Sequence, residues 1–123
     1  MITGLVTVHR EAVIRLVVRG PGDGELGIDA VIDTGFDGWL SLPPSLISRL
    51  GLPWRQRGRA LLADGSESVF DTYEGIVVWD GHPRRVAVDE ADTAPLIGMS
   101  LLGGYELTVQ VLSGGNVTIV PLP

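Results

Sequence analysis

The stretch Ala30-Val31-Ile32-Asp33-Thr34-Gly35-Phe36-Asp37-Gly38-Trp39-Leu40-Ser41-Leu42-Pro43 decides how the rest of the chain is read. It opens on β-branched, apolar residues, the composition of a buried strand. It then stops at an aspartate. A strand interior is a costly place for a carboxylate, because desolvation penalises the charged form. Asp33 instead ends the apolar run, and Gly35 two residues later lets the backbone turn tightly. The apolar pattern resumes at Trp39-Leu40-Ser41-Leu42, so the acid falls in a short loop between two strands. Two readings fit Asp33-Thr34-Gly35: an Asx-type turn between strands, or an acid held rigidly in a cleft.

Outward from this loop, Leu26 to Ile32 forms the strand that delivers Asp33. Before it, Leu5 to Val8 and Ala12 to Val18 read as strands joined by His9-Arg10-Glu11, and Gly20-Pro21-Gly22-Asp23-Gly24 is a turn cluster. After it, Pro43-Pro44-Ser45-Leu46-Ile47-Ser48-Arg49-Leu50-Gly51 reads as a short helix. Proline presets φ at its start, Leu46, Ile47 and Leu50 share a face, and Gly51 supplies a left-handed stop. Trp54 to Ala63 and Ser66 to Trp79 read as a long hairpin turning at Asp64-Gly65, a pair favoured where both central residues need positive φ. Arg84 to Val88 is a further strand, and Asp89-Glu90-Ala91-Asp92-Thr93 reads as a solvated acidic loop. Met99 to Gly103 fits one helical turn. Tyr105 to Leu112 and Asn116 to Val120 form a terminal hairpin through Ser113-Gly114-Gly115. Roughly nine short strands and one clear helix describe a mainly β, barrel-like domain.

The 123 residues support one domain with one core. Gly 17 and Pro 8 suit many short strands joined by tight turns. With no cysteine, neither a disulfide nor a thiolate metal site is available. The net charge of −6 argues against nucleic acid, whose binding needs clustered Lys and Arg. Arg55-Gln56-Arg57-Gly58-Arg59 is the one basic cluster, read as a solvated strand rather than a patch for an acidic partner. No run is long enough to span a bilayer, and the N-terminus lacks the pattern of a signal peptide. A cytoplasmic location without membrane contact is the default expectation. His9 and His82 read as surface residues, and Trp39, Trp54 and Trp79 as packing residues.

Apolar-apolar-Asp-Thr-Gly resembles the active-site loop of the aspartic proteases. More narrowly, the chain resembles a single-domain, retropepsin-like protease of prokaryotic type. Ala94-Pro95-Leu96-Ile97-Gly98-Met99-Ser100-Leu101-Leu102 is similar to the family's late apolar segment, which packs beneath the catalytic loop. Leu61-Leu62-Ala63-Asp64-Gly65-Ser66 falls where the family carries its flap hairpin. The resemblance spans Ala12 to Ile119 and implies a closed β-barrel active as a two-fold dimer.

In that family two carboxylates share one proton, because like charges a few ångströms apart push one pKa upward. The neutral acid polarises the scissile carbonyl while the ionised one takes a proton from water. No metal or other cofactor enters. This chain has a single Asp-Thr-Gly, so the second acid would come from a homodimer partner. By resemblance Asp33, Thr34 and Gly35 are the catalytic-loop residues, and Thr34 locks the two loops together. Phe36, Asp37, Ala63, Asp64 and Gly65 would contact a peptide or protein substrate, and Val117 to Val120 would join an intersubunit sheet. Two positions depart from the family pattern. Phe36 stands where a small or hydroxyl residue is usual, and Met99 stands where an arginine pairs with the residue at Asp37. The chain thus reads as an aspartic endopeptidase, with a catalytically silent dimer that binds a peptide or protein partner as the alternative. A third reading, hydrolysis by an Asp33–Asp37 pair within one subunit, fits less well, since carbohydrate sites carry more polar and aromatic lining.

Overall fold

A computed structural model describes all 123 residues. Ten strands and two short helices follow one another as β1 (Ile2–Val6), β2 (Ala12–Arg19), β3 (Glu25–Ile32), β4 (Leu40–Leu42), α1 (Pro44–Leu50), β5 (Trp54–Leu61), β6 (Glu67–Trp79), β7 (His82–Glu90), β8 (Leu96–Ile97), α2 (Met99–Leu102), β9 (Tyr105–Val109) and β10 (Asn116–Pro121). All ten belong to one sheet, in the order β5-β6-β7-β4-β8-β3-β2-β1-β10-β9. An additional pairing of β6 with β2 closes the six strands from β6 to β2 into a barrel. The length of β2 makes this closure possible. Its first residues, Ala12 to Ile14, pair with β1, while Val17 to Arg19 turn the same edge to β6.

Period-two alternation decides what each strand buries. Ile14, Leu16 and Val18 of β2, Val77 and Trp79 of β6, and Val86 and Val88 of β7 all point into a core of 20 buried apolar residues. Complete burial of such a side chain contributes about 1.5–3 kcal/mol. Trp79 is buried edge-on to Tyr105, whereas Trp54 is exposed and donates from its indole to Asp71. Helix α1 behaves as its sequence demands. Ile47 and Leu50 are buried, Gly51 adopts φ 63°, and the amides of Gly51 and Leu52 bond back to Ser48 and Ile47, which is a Schellman stop with buried Leu52 as its apolar lid.

Several local expectations are corrected. The first strand spans Ile2–Val6 rather than Leu5 to Val8, and Val8 to Arg10 form the turn. Asp89 and Glu90 are strand residues of β7, not loop. Leu96–Ile97 forms a strand that its two residues could not signal. At the hairpin tip the Leu62 carbonyl accepts from the Gly65 amide, so Ala63 and Asp64 are the central pair and only Gly65 has positive φ. A left-handed glycine after an ordinary turn replaces the doubly positive turn expected for Asp-Gly. The basic cluster is the solvated strand β5, with Arg57 and Arg59 paired to Asp71 and Glu67 across the hairpin.

The largest correction concerns the chain's end. Strand β10 lies between β1 and β9, and Val117 to Ile119 are paired on both sides. Val117 and Ile119 are wholly buried. The segment expected to add to a partner's sheet therefore has no free edge there.

Candidate active site

The acid loop is built by two parallel ladders. Strand β8 runs parallel to β3, with Val31 opposite Leu96 and Ile32 opposite Ile97. The ladder carries on one residue, and the Asp33 amide donates to the Ile97 carbonyl at 2.9 Å. Beyond it the chain folds into a turn. The Gly35 amide donates to Oδ1 of Asp33 at 2.9 Å, and the Phe36 amide to the Asp33 carbonyl at 3.1 Å. Asp33-Thr34-Gly35 is thus an Asx turn, in which the Gly35 amide binds one oxygen of the half-buried carboxylate.

The second half of the loop is clamped from below. The amides of Gly98, Met99 and Ser100 donate to the carbonyls of Trp39, Phe36 and Gly38 at 3.1, 2.8 and 3.0 Å. The Ser100 hydroxyl donates to the Asp37 carbonyl at 2.6 Å. The approach is so close that Gly98 admits no side chain: a Cβ there would strike the Gly38 carbonyl and lie 2.8 Å from Cδ2 of Phe36. The Phe36 ring leans over Gly38 and Gly98. Met99 serves through its backbone, and its side chain is half exposed. The Asp37 carboxylate makes no ion pair.

Above the loop lies a cleft of about 930 Å³. Asp33, Gly35, Phe36 and Asp37 line it; Thr34 is exposed at the loop's tip. The hairpin contributes its stem, through Arg59, Leu61, Val69 and Phe70, rather than its tip. Ala63, Asp64 and Gly65 are exposed outside the cleft walls. Asp64 is committed to its own turn, accepting from the Ser66 amide and hydroxyl at 2.9 and 2.6 Å. Those bonds hold its carboxyl below the usual carboxylate range.

The floor of the cleft contains residues that sequence reading missed. Ser41 of β4 stands opposite Asp89 of β7, and Asp89 opposite Thr72 of β6. Their neighbours Leu40, Leu42 and Val88 point into the core, so this row faces the cleft. Asp89 accepts from the Thr72 hydroxyl at 3.4 Å. Burial pushes its pKa up, the Thr72 bond opposes that shift, and the nearby Asp37 charge adds to it. The signal lay in the alternation of Val86 and Val88, which carries on through Asp89 without a turn residue.

One end of the sheet gathers the loop and an apolar surface. Val13 lies opposite Val31, and the Val6 amide bonds the Gly115 carbonyl. The β1–β2 and β9–β10 turns therefore flank the end of β3 where Asp33 sits. Val8, Val111 and Leu112 are exposed on those turns.

Two solved structures share this arrangement of strands. A retropepsin-like aspartic protease from Rickettsia conorii superposes with a TM-score of 0.62 and 16% identity, over 99% of this chain and 91% of its own. EIAV protease, solved with an inhibitor, gives 0.57 and 13% identity, over 77% of this chain and 88% of its own. The fold is retropepsin-like. No protein-family model matches the sequence, and no curated protein does. Within this barrel the parallel ladders β3–β8 and β4–β7 set the Asp33 loop beside the Gly98 segment. No helix is long and apolar enough to cross a membrane.

Proposed function

We propose that the protein is an aspartic endopeptidase, assembled from two copies of the chain so that two Asp33 carboxylates meet across a two-fold axis. The observation that carries this reading is the pinned carboxylate of Asp33, fixed by the Gly35 amide and opening onto the cleft. A single such acid cannot both activate water and polarise a carbonyl. Two that share a proton can do both. The ionised Asp33 takes a proton from water as its oxygen bonds to the scissile carbonyl carbon, while the neutral one donates toward the carbonyl oxygen. Collapse of that adduct breaks the C–N bond, and the departing nitrogen takes up a proton from the pair.

The apolar end of the sheet supports a two-fold contact. Val8, Val111 and Leu112 are exposed on the turns that flank the end of β3 where Asp33 sits, and association through them would bring the exposed Thr34 of each copy together. A mobile hairpin tip at Ala63, Asp64 and Gly65 would reach a substrate only on closing over the cleft. Asp33→Asn is expected to abolish cleavage of a peptide library while a dimeric mass and the folded circular dichroism persist. Cleavage retained by that purified variant removes Asp33 from the mechanism. The silent-dimer alternative draws on Phe36, and it predicts that wild-type protein binds peptides or a statine-type transition-state mimic without ever cutting.

A further inference from the structure

We propose that the cleft floor formed by Ser41, Asp89 and Asp37 is a subsite for a cationic side chain, a lysine or arginine of the substrate beside the scissile bond. This rests on the peptidase reading and names its substrate class.

Three features converge on one spot. First, Ser41 is only 4% exposed, lines the cleft, and its Oγ has no hydrogen-bond partner. A buried hydroxyl left unmatched is a standing cost that a ligand donor would relieve. Second, Asp89 is Ser41's direct cross-strand neighbour and accepts only one long bond, from Thr72. A carboxylate has about four acceptor sites, so most of its capacity is unused in a half-buried position. Third, the local charge has one sign. Asp33, Asp37, Asp89, Glu90 and Asp92 line the cleft against Arg59 alone, and Arg59 already lies 3.6 Å from Glu67.

An ammonium or guanidinium group satisfies all three at once. It donates to Asp89, reaches Ser41 Oγ once that buried hydroxyl turns toward the cleft, and offsets the repulsion between Asp89 and Asp37. Charge-assisted bonds of this kind are the strong ones. The upward displacement of the Asp89 pKa has burial as its main cause, and a bound cation reverses that displacement. A metal ion is a poorer occupant, because no three of these carboxylates converge as ligands. Asp89 also stands beside the acid loop, with Oδ2 3.3 Å from where a Cβ on Gly38 would lie. The subsite therefore reads a side chain close to the bond that is cut.

The test uses fluorogenic peptides that differ only in lysine, norleucine or glutamine at each position flanking the scissile bond. Lysine is expected to raise kcat/KM about ten- to a hundredfold over both neutral residues at one position. Asp89→Asn should bring that ratio close to unity, and Ser41→Ala, which deletes one atom, should lower it several-fold. The same peptides are also titrated by fluorescence anisotropy against the Asp33→Asn protein. If lysine peptides bind that protein preferentially, while wild type cuts nothing, the subsite stands and the peptidase reading falls. If wild type cuts lysine, glutamine and norleucine peptides equally, the subsite falls and the peptidase reading stands. Lysine selectivity unchanged in both Asp89→Asn and Ser41→Ala also overturns the assignment, as does the absence of any binding preference.

Discussion

Gly98→Ala tests whether the Gly98-Met99-Ser100 segment clamps the acid loop. Gly98 has φ −97° and ψ 174°, which alanine adopts freely, so the backbone conformation itself opposes nothing. Restricting the unfolded chain would even favour the variant by about 0.4–1 kcal/mol. The cost is steric. The new methyl would lie 2.8 Å from the Gly38 carbonyl carbon and 2.8 Å from Phe36 Cδ2, against an ordinary separation of about 3.5 Å. The Gly38 carbonyl oxygen is struck more closely still, so relief needs a retreat of at least roughly 0.7 Å, the difference of those two distances. The Ser100 amide to Gly38 carbonyl bond, now 3.0 Å, would open to roughly 3.7 Å, beyond hydrogen-bond range. The Met99 to Phe36 bond would lengthen with it. Overpacking of about 1–3 kcal/mol and one or two lost bonds of about 0.5–1.5 kcal/mol each outweigh the entropic gain. These leave a net loss of about 0.5–5.5 kcal/mol, and a loss near the middle, about 3 kcal/mol, lowers Tm by roughly 12 °C in a chain of this size. Scanning calorimetry measures it, and Gly22→Ala is the control, because a Cβ at Gly22 meets nothing within 4 Å. Peptide cleavage should fall as well, since the clamp fixes the loop that carries Asp33. A Gly98→Ala protein melting within about 2 °C of wild type would refute the clamp.

Two further outcomes follow from the site and its surroundings. Asp89 has a folded-state pKa raised above 3.8, chiefly by burial, so its ionisation opposes folding at pH above that raised value and ceases to matter below 3.8, where both states hold the proton. Asp89→Asn should therefore raise Tm at neutral pH, with the gain vanishing as acid titrates the wild-type carboxyl; an equal gain at all pH values contradicts the desolvation account. Leu112, 63% exposed on the β9–β10 turn, belongs to the proposed two-fold surface. Leu112→Glu should give a monomeric mass by light scattering, an unchanged Tm of the monomer and no cleavage, whereas a dimeric mass would move the contact elsewhere.

What the sequence disclosed was local. The β-branched run ending at Asp33 announces its own strand, and Pro44 with Gly51 bounds its own helix, because those preferences act within a few residues. The acid loop was legible for the same reason, because Asp33-Thr34-Gly35 carries its own turn chemistry, whereas the Leu96-Ile97-Gly98 clamp was legible only through the family resemblance. Asp89 was obscured because its role depends on parity and on strands far away in sequence. Followed by Glu90, Ala91 and Asp92 it reads as a solvated run, yet the ladder to Ser41 and Thr72 keeps it in β7 and turns it into the cleft. The hairpin tip misled in the opposite way. Asp64-Gly65 carries a strong turn signal, but the tip's hydrogen bonds set the turn one residue earlier and keep the Asp64 carboxylate on Ser66.

The position of β10 changes how an assembly of this chain must work. A terminal strand paired only with its partner's would leave each copy's sheet unfinished, and folding and association would be one event. Here β10 is paired on both sides, the barrel is closed by β2 and β6, and the core includes Val117 and Ile119 from within the same chain. The barrel and its core thus draw on residues of one chain alone. What one copy lacks is chemical: it has one pinned acid where the proposed mechanism needs two. On the proposed mechanism a folded monomer is expected to be inactive, and the end of the sheet bearing Val8, Val111 and Leu112 would complete the acid pair rather than hold the barrel together. Proteolysis would then rise with the population of dimer, while stability would remain a property of the single chain.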